Sequence, residues 1–209
     1  MITLHDATGL AGLTFVLATA IAAVVCPPAA RRSRFIAVGT GLLIASMAPV
    51  AGLPLIAQVR ALAGDPSLPT IVLAASVWVV RVGSAQSDNR HDAIPSSLTL
   101  LALIAVIGAL FLYPFALGAT LFDPYRLGYD SVALVGVVLA IALAAAYAGR
   151  TLVAVSLALG VIAWSAGWYA STNLFDYLLD PMLAGWAVLT VISRRRVRLL
   201  PRSRFLNRS

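Results

Sequence analysis

Lysine and glutamate are absent from this 209-residue chain, cysteine and histidine occur once and twice, and charged residues make up only 11%. Each shortage excludes something. One cysteine, Cys26, rules out an intramolecular disulfide and a cysteine-based zinc site. The residues ahead of it, Ala23-Val24-Val25, lack the small residue expected before a lipid-modified cysteine, and Pro27 follows. Met1 to Gly9 holds His5 and Asp6 but no basic residue, unlike the start of a signal peptide. A soluble domain keeps roughly a quarter of its residues charged. This chain does not.

What is present is hydrophobic. Apolar residues account for 61% and mean hydropathy is +0.95, in long runs divided by short polar joints, as a bilayer requires. All fifteen basic residues are arginine, and seven follow Ser193. A net charge of +7 could mark a nucleic-acid surface, but clustering of Arg194, Arg195, Arg196 and Arg198 behind the last apolar run fits a cytoplasmic tail touching anionic headgroups. No nucleic-acid partner is expected. The pattern divides the chain into a membrane domain, residues 1–193, and an arginine-rich tail, residues 194–209.

A helix needs about 20 apolar residues to cross some 30 Å of hydrocarbon. By that measure the expected fold is all-α, a polytopic transmembrane bundle of about seven spans. The first runs from Thr8 to Cys26 and stops at Pro27-Pro28. The second, Phe35 to Val59, is read as one span kinked by Pro49 and Pro54 and open to unwinding near its far end. Pro69 to Val82 reaches only roughly 21 Å and crosses only if Arg81 snorkels and the preceding turn joins the helix. After the polar loop from Gly83 to Ser97 comes a span from Leu98 to Gly118, bent or ended by Pro114. Ser131 to Ala148 and Thr151 to Tyr169 form a hairpin around Gly149-Arg150. The last span is expected to start at Asn173, with Asp176 three residues later, and to bend at Pro181, because a start at Pro181 leaves too short an apolar stretch.

The arginines then set the orientation. With seven crossings, Arg31, Arg32, Arg34, Arg81, Arg90, Arg150 and the tail share one side, and only Arg60 and Arg126 lie on the other. The positive-inside rule makes the first side cytoplasmic and puts the N-terminus outside. Asp6, Asp65, Asp123, Asp130, Asp176 and Asp180 fall outside with it. The composition, rich in alanine and arginine, points to a GC-rich bacterium and hence to a plasma, or inner, membrane.

Catalytic signatures are missing. No ionisable residue lies near the middle of a span, which argues against an ion-coupled transporter. No phosphate-binding glycine loop, HExxH or GxSxG element occurs, and Asp176 and Asp180 do not match the paired-aspartate pattern of lipid phosphotransferases. His5 and His91 fall on opposite sides and cannot share a metal or haem. His91-Asp92 beside Arg90 reads as a solvated loop. No cofactor or metal is expected.

Aromatic and acidic residues instead gather on the outer side: Asp123, Tyr125, Arg126, Tyr129, Asp130, Trp168, Asn173, Asp176, Tyr177 and Asp180. An interfacial belt and helix caps would explain them. So would a patch that packs rings against a sugar headgroup or a partner loop and offers carboxylates to its hydroxyls. Small residues at every fourth position, Gly136, Ala140, Ala144 and Ala148, with Ser156 and Gly160 and then Ala163 and Gly167, suit close helix approach, expected within the bundle. A membrane partner or a second copy is the other use. The function expected is therefore a non-catalytic membrane subunit or accessory protein that binds a lipid, lipid-linked glycan or membrane protein. The alternatives are a small enzyme of envelope lipids or sugars using the outer carboxylates, and a facilitator for a neutral solute near the second run.

Overall fold

A computed structural model describes residues 3–50, 52–83, 93–118, 123–129 and 132–199. Among the described residues the chain is all-α apart from one pair of two-residue strands. Helix α1, Leu4–Val25, opens with a capping box: Thr3 accepts from the Asp6 amide at 3.2 Å, and Asp6 accepts from the Thr3 amide at 3.1 Å. Pro27 and Pro28 bar its continuation. Helix α2, Arg32–Ala45, follows.

The second apolar run is not one kinked helix. It divides into α2, the antiparallel strands β1, Pro49–Val50, and β2, Leu53–Pro54, and helix α3, Leu55–Ala63. Two prolines five residues apart remove two helical donors, and Gly52 at φ 84° turns the chain between the strands. Helix α4, Leu68–Val82, has Pro69 in its first turn and Arg81 in its last. Arg81 donates to the carbonyls of Pro27 and Cys26 at 2.9 Å each and lies over the Phe35 ring. It thereby adds donors to the carbonyls at the end of α1, of which Pro27 also accepts from the Ala30 amide.

Helix α5, Ala93–Ala116, carries Pro114 and ends two residues beyond it. A 3-10 turn, Pro124–Gly128, leads to the hairpin of α6, Val132–Tyr147, and α7, Thr151–Ser165, closed by Gly149 at φ 69°. That hairpin matches its expectation. The final segment corrects another: α8, Leu174–Leu178, is a separate short helix capped by Asn173, and α9, Pro181–Leu199, begins at the Asp180-Pro181 step. Asp180 caps α9 by accepting from the Leu183 amide at 2.7 Å. Apolar length argued against this start, but the helix gains its length by running on through Arg194, Arg195, Arg196 and Arg198.

Successive long helices run in alternating directions. Arg60 on Asp6, Thr8 on the Trp168 carbonyl, and Ser67 on Asp180 gather one set of helix ends, here the acidic end. Arg81, Cys26 and Pro27 lie at the opposite, arginine end, where Arg150 reaches Ser96. Between them α5, α6 and α7 enclose Leu101, Val138, Val153 and Leu157, α5 meets α9 through Ala102, Ala105, Leu183 and Ala187, and Ala22, Cys26 and Phe35 join α1 to α2.

Among the described residues two helices are long and apolar enough to cross a membrane, Leu4–Val25 and Ser96–Phe115 within α5, with mean hydropathies of 2.1 and 2.4. Helices α4, α6, α7 and the apolar part of α9 are shorter. Only 22% of the α5 stretch is buried inside the protein, and the rest is half-buried or exposed. Leu103, Ile107, Leu110, Val137, Leu143, Val155, Ile162 and Leu189 are also exposed, on α5, α6, α7 and α9.

Candidate functional site at the acidic end

Two hydrogen-bonded assemblies shape the acidic end. The first surrounds Asp180, which is 3% exposed. Besides capping α9, it accepts from the Ser67 amide at 2.7 Å and from the Thr70 hydroxyl at 2.5 Å, and Ser67 and Thr70 share a bond of 3.1 Å. One carboxylate thus holds the starts of α4 and α9 together. A charge is tolerated in such a place when donors surround it.

The second surrounds Asp176. Tyr125 donates to its two oxygens at 2.8 Å, and Ser171 donates at 2.5 Å. Asn173 accepts from the Phe175 amide at 2.9 Å and donates to the Tyr125 carbonyl at 2.8 Å, while Tyr129 and Asn173 form an antiparallel bridge. Gly128 lies so close to the Asn173 side chain that a Cβ would overlap it. Tyr177 and Tyr169 stack at 5.1 Å; Tyr177 donates to the Ser171 carbonyl and accepts from the Tyr169 amide, and Tyr169 donates to the Pro66 carbonyl. Burial, with the Asp176 carboxylate beside it, holds the Tyr125 phenol well above its ordinary pKa of 10.0. Burial and the charges of Asp65 and Asp180 do the same for Tyr169.

A third cluster borders these. Arg60 binds Asp65 through two nitrogens at 2.6 and 3.0 Å and Asp6 at 2.9 Å. The Asp65 bonds, followed by those of Asp6, raise the guanidinium pKa still further against the cost of partial burial. Gly9 lies against Asp65 with no room for a Cβ.

A cavity of about 260 Å³ opens among these groups, lined by Asp65, Tyr169, Ser171, Asp176 and Asp180 with Gly64 and Pro181 at its rim. Of the residues expected to form an outer patch, Asp176 and Asp180 line it. Tyr125 stands behind Asp176, and Asn173 and Tyr177 are fully buried struts. Asp123 caps the 3-10 turn by accepting from the Tyr125 amide at 3.0 Å, and exposed Arg126 and Tyr129 lie on the same turn outside the cavity. Exposed Trp168 contributes its carbonyl to Thr8. Asp130 and His91 lie outside the described residues, as do the side chains of Arg195, Arg196 and Arg198. Arg194 is half-buried on α9.

Asp65, Ser171, Ser67 and Thr70 belong to this region but were missing from the expected patch. Asp65 had a readable signal, since the arginine distribution puts it on the same side as Asp176 and Asp180. Ser67 and Thr70 had none. Among the described residues no three His, Cys, Asp or Glu side chains come together as a metal-binding group, so the three lining carboxylates are spread around the cavity. The small-residue expectation divides: Gly160 packs against Leu178 and Tyr177 inside the bundle, whereas Gly136 has nothing near it and Ala140 and Ala144 are exposed. Internal packing explains α7 but not α6.

No protein-family profile, curated protein or solved structure matches this chain.

Proposed function

We propose that this chain is a multi-pass protein of the plasma (inner) membrane of a bacterium, crossing about seven times with its N-terminus outside and its 194–209 tail in the cytoplasm. Its role is that of a non-catalytic accessory subunit, which binds the polar part of a membrane lipid, a lipid-linked glycan or a membrane-protein partner at the outer, acidic end. Support for the membrane comes from the outward apolar faces of α5, α6, α7 and α9, which water would penalise by roughly 25 cal/mol per Å². Short helices complete a crossing with the caps and turns at their ends, and the arginines of α9 extend toward anionic headgroups.

The observation that carries the binding role is the cavity bounded by Asp65, Asp176 and Asp180. Its carboxylates are held by Arg60, Tyr125, Ser171, Ser67 and Thr70, an arrangement that fixes acceptors for a ligand's donors. It supports binding over hydrolysis, because no histidine stands among the lining residues and the carboxylates are already engaged. Asp176→Asn and Asp123→Asn, made singly in the full chain, test it through copurification of lipid or partner. Loss with Asp176→Asn and retention with Asp123→Asn is the expected result; unchanged copurification in both rejects the site. For orientation, Cys introduced at Leu62 and Thr172 labels from outside and at Tyr147 only after permeabilisation. Labelling of Leu62 and Tyr147 from one side overturns the topology. Native Cys26 is fully buried and gives little background.

A further inference from the structure

Helices α1, α4 and α9 run in the same direction from the acidic end. Helix α1 packs closely on α4, whereas α9 packs mainly on α5 and only lightly on α4. A groove of about 380 Å³ is left over α4, walled by Leu17 and Ala20 of α1 and by Met182 and Trp186 of α9, with Leu73 and Val77 on its floor. It follows the helix axes from Thr70 to Val77, roughly 10 Å at 1.5 Å per residue. Its lining is almost wholly apolar, and its polar groups are the hydroxyls of Thr70 and Thr19. Thr19 is committed to the Phe15 carbonyl and the Trp78 indole. Thr70 marks the end nearest the acidic cavity, and its hydroxyl donates to Asp180, whose neighbour Pro181 lines that cavity while Met182 and Leu183 line the groove. The two spaces therefore border the same first turn of α9, one acidic and one apolar.

We infer that this groove holds one hydrocarbon chain of a membrane lipid, and that the lipid carries a protonated amine in its headgroup, seated over the Thr70–Asp180 pair in the acidic cavity. The inference rests on the membrane reading above and names the ligand of the same site. Length, direction and polarity argue for it. The groove is parallel to the crossing helices, as lipid chains are, and its length of roughly 10 Å holds a segment of one chain. Charge decides the head. Asp65, Asp176 and Asp180 line the cavity without a lining cation, and Arg60, the nearest, is already shared by Asp65 and Asp6. A purely anionic headgroup would meet repulsion there, and an amine would meet acceptors. Since lipid tails outside are as apolar as the groove, the chain contributes fit, and discrimination among lipids comes from the head.

Native mass spectrometry of the full-length protein in mild detergent, titrated with phosphatidylethanolamine or phosphatidylglycerol of identical chains, tests this. The expected result is one equivalent of the amine lipid, retained about tenfold better than the anionic one, a difference of roughly 1.4 kcal/mol. Ala20→Trp, at an exposed position on the groove wall, should remove that equivalent, and Ala23→Phe, farther down the same wall, provides a second obstruction should the first variant not fold. Asp176→Asn should narrow the preference between lipids while keeping an adduct. Full retention by both groove variants overturns the chain site, yet leaves the acidic-end reading standing if Asp176→Asn still alters copurification. Equal retention of the two lipids overturns the amine, and a copurifying polypeptide displaced by Ala20→Trp overturns the lipid.

Discussion

The two ends of this bundle are built differently. At the acidic end, side chains bond to elements distant in sequence: Asp180 to α4, Asp176 to the 3-10 turn, Tyr169 to the loop before α4, Arg60 to α1. At the arginine end the long-range polar contacts include those of Arg81 with the end of α1, of Arg150 with Ser96 and of the Trp78 indole with Thr19, and the apolar surfaces of Cys26, Phe35 and Trp78 pack there. One end is specified by hydrogen bonds and the other mainly by apolar fit. Rigid placement of acceptors suits recognition.

The contrast is most sharply broken at Asp180. Asp180→Ala leaves the Ser67 amide, the Thr70 hydroxyl and the Leu183 amide without their acceptor, and a loss of about 3–5 kcal/mol is expected in detergent unfolding, since each orphaned buried donor costs roughly 1–3. Gly128→Ala comes next: the new methyl overlaps Asn173, which caps α8 and holds the 3-10 turn, and overpacking of this kind costs about 1–3 kcal/mol. At the arginine end, Arg81→Met keeps the aliphatic stem but gives up the bonds to Cys26 and to Pro27, whose carbonyl still accepts from the Ala30 amide, for an expected loss of about 1–2 kcal/mol with no change in ligand copurification. A comparable loss of copurification would show that the ends are not independent. Gly136→Ala, on the outward face of α6, should shift stability by less than about 0.5 kcal/mol, as the methyl meets nothing.

The smallest effect concerns alkaline pH. The Tyr125 phenol keeps its proton above the ordinary value of 10.0 because burial and Asp176 disfavour the phenolate. Its folded-state pKa is raised, so its contribution to stability is complete below the unfolded pKa and disappears as pH climbs through the folded one. Difference absorbance near the tyrosinate band should therefore show fewer phenols titrating at the ordinary pH in the native protein than in the unfolded chain, and Tyr125→Phe should reduce that deficit. Ordinary titration of Tyr125 in the native protein would mean that the Asp176 assembly is open.

The residues themselves carried much of the fold. Apolar runs located α1, α4, α5, α6 and α7 because a run of lipid-like side chains leaves the backbone little choice but to satisfy itself in helix. The Asn173 cap and the turn at Gly149 were also legible, each from one residue with a local preference. Two segments misled. The stretch from Phe35 to Val59 has the composition of a span, but Pro49 and Pro54 together open the helix into strands where either alone could only kink it. At Asp180-Pro181 the cap signal pointed to the observed start and apolar length pointed away. Length misled because arginines, excluded from a hydrocarbon count, are strong helix formers and extend α9 beyond it.

Composition and periodicity determined that the chain is helical, apolar outside, and acidic at one end and basic at the other, since these follow from side-chain chemistry read locally. Only the tertiary structure decided which acids share a cavity. Asp65 and Asp180 stand far apart in the chain, and their meeting depends on how α4 and α9 begin beside one another. It decided too that Ser156, Gly160 and Ala163 on α7 are buried while Gly136, Ala140 and Ala144 on α6 face outward, because spacing of four defines a face but not its direction. The groove beside α4 likewise has no signature in the sequence: it exists because α9 packs on α5 and leaves one flank of α4 uncovered.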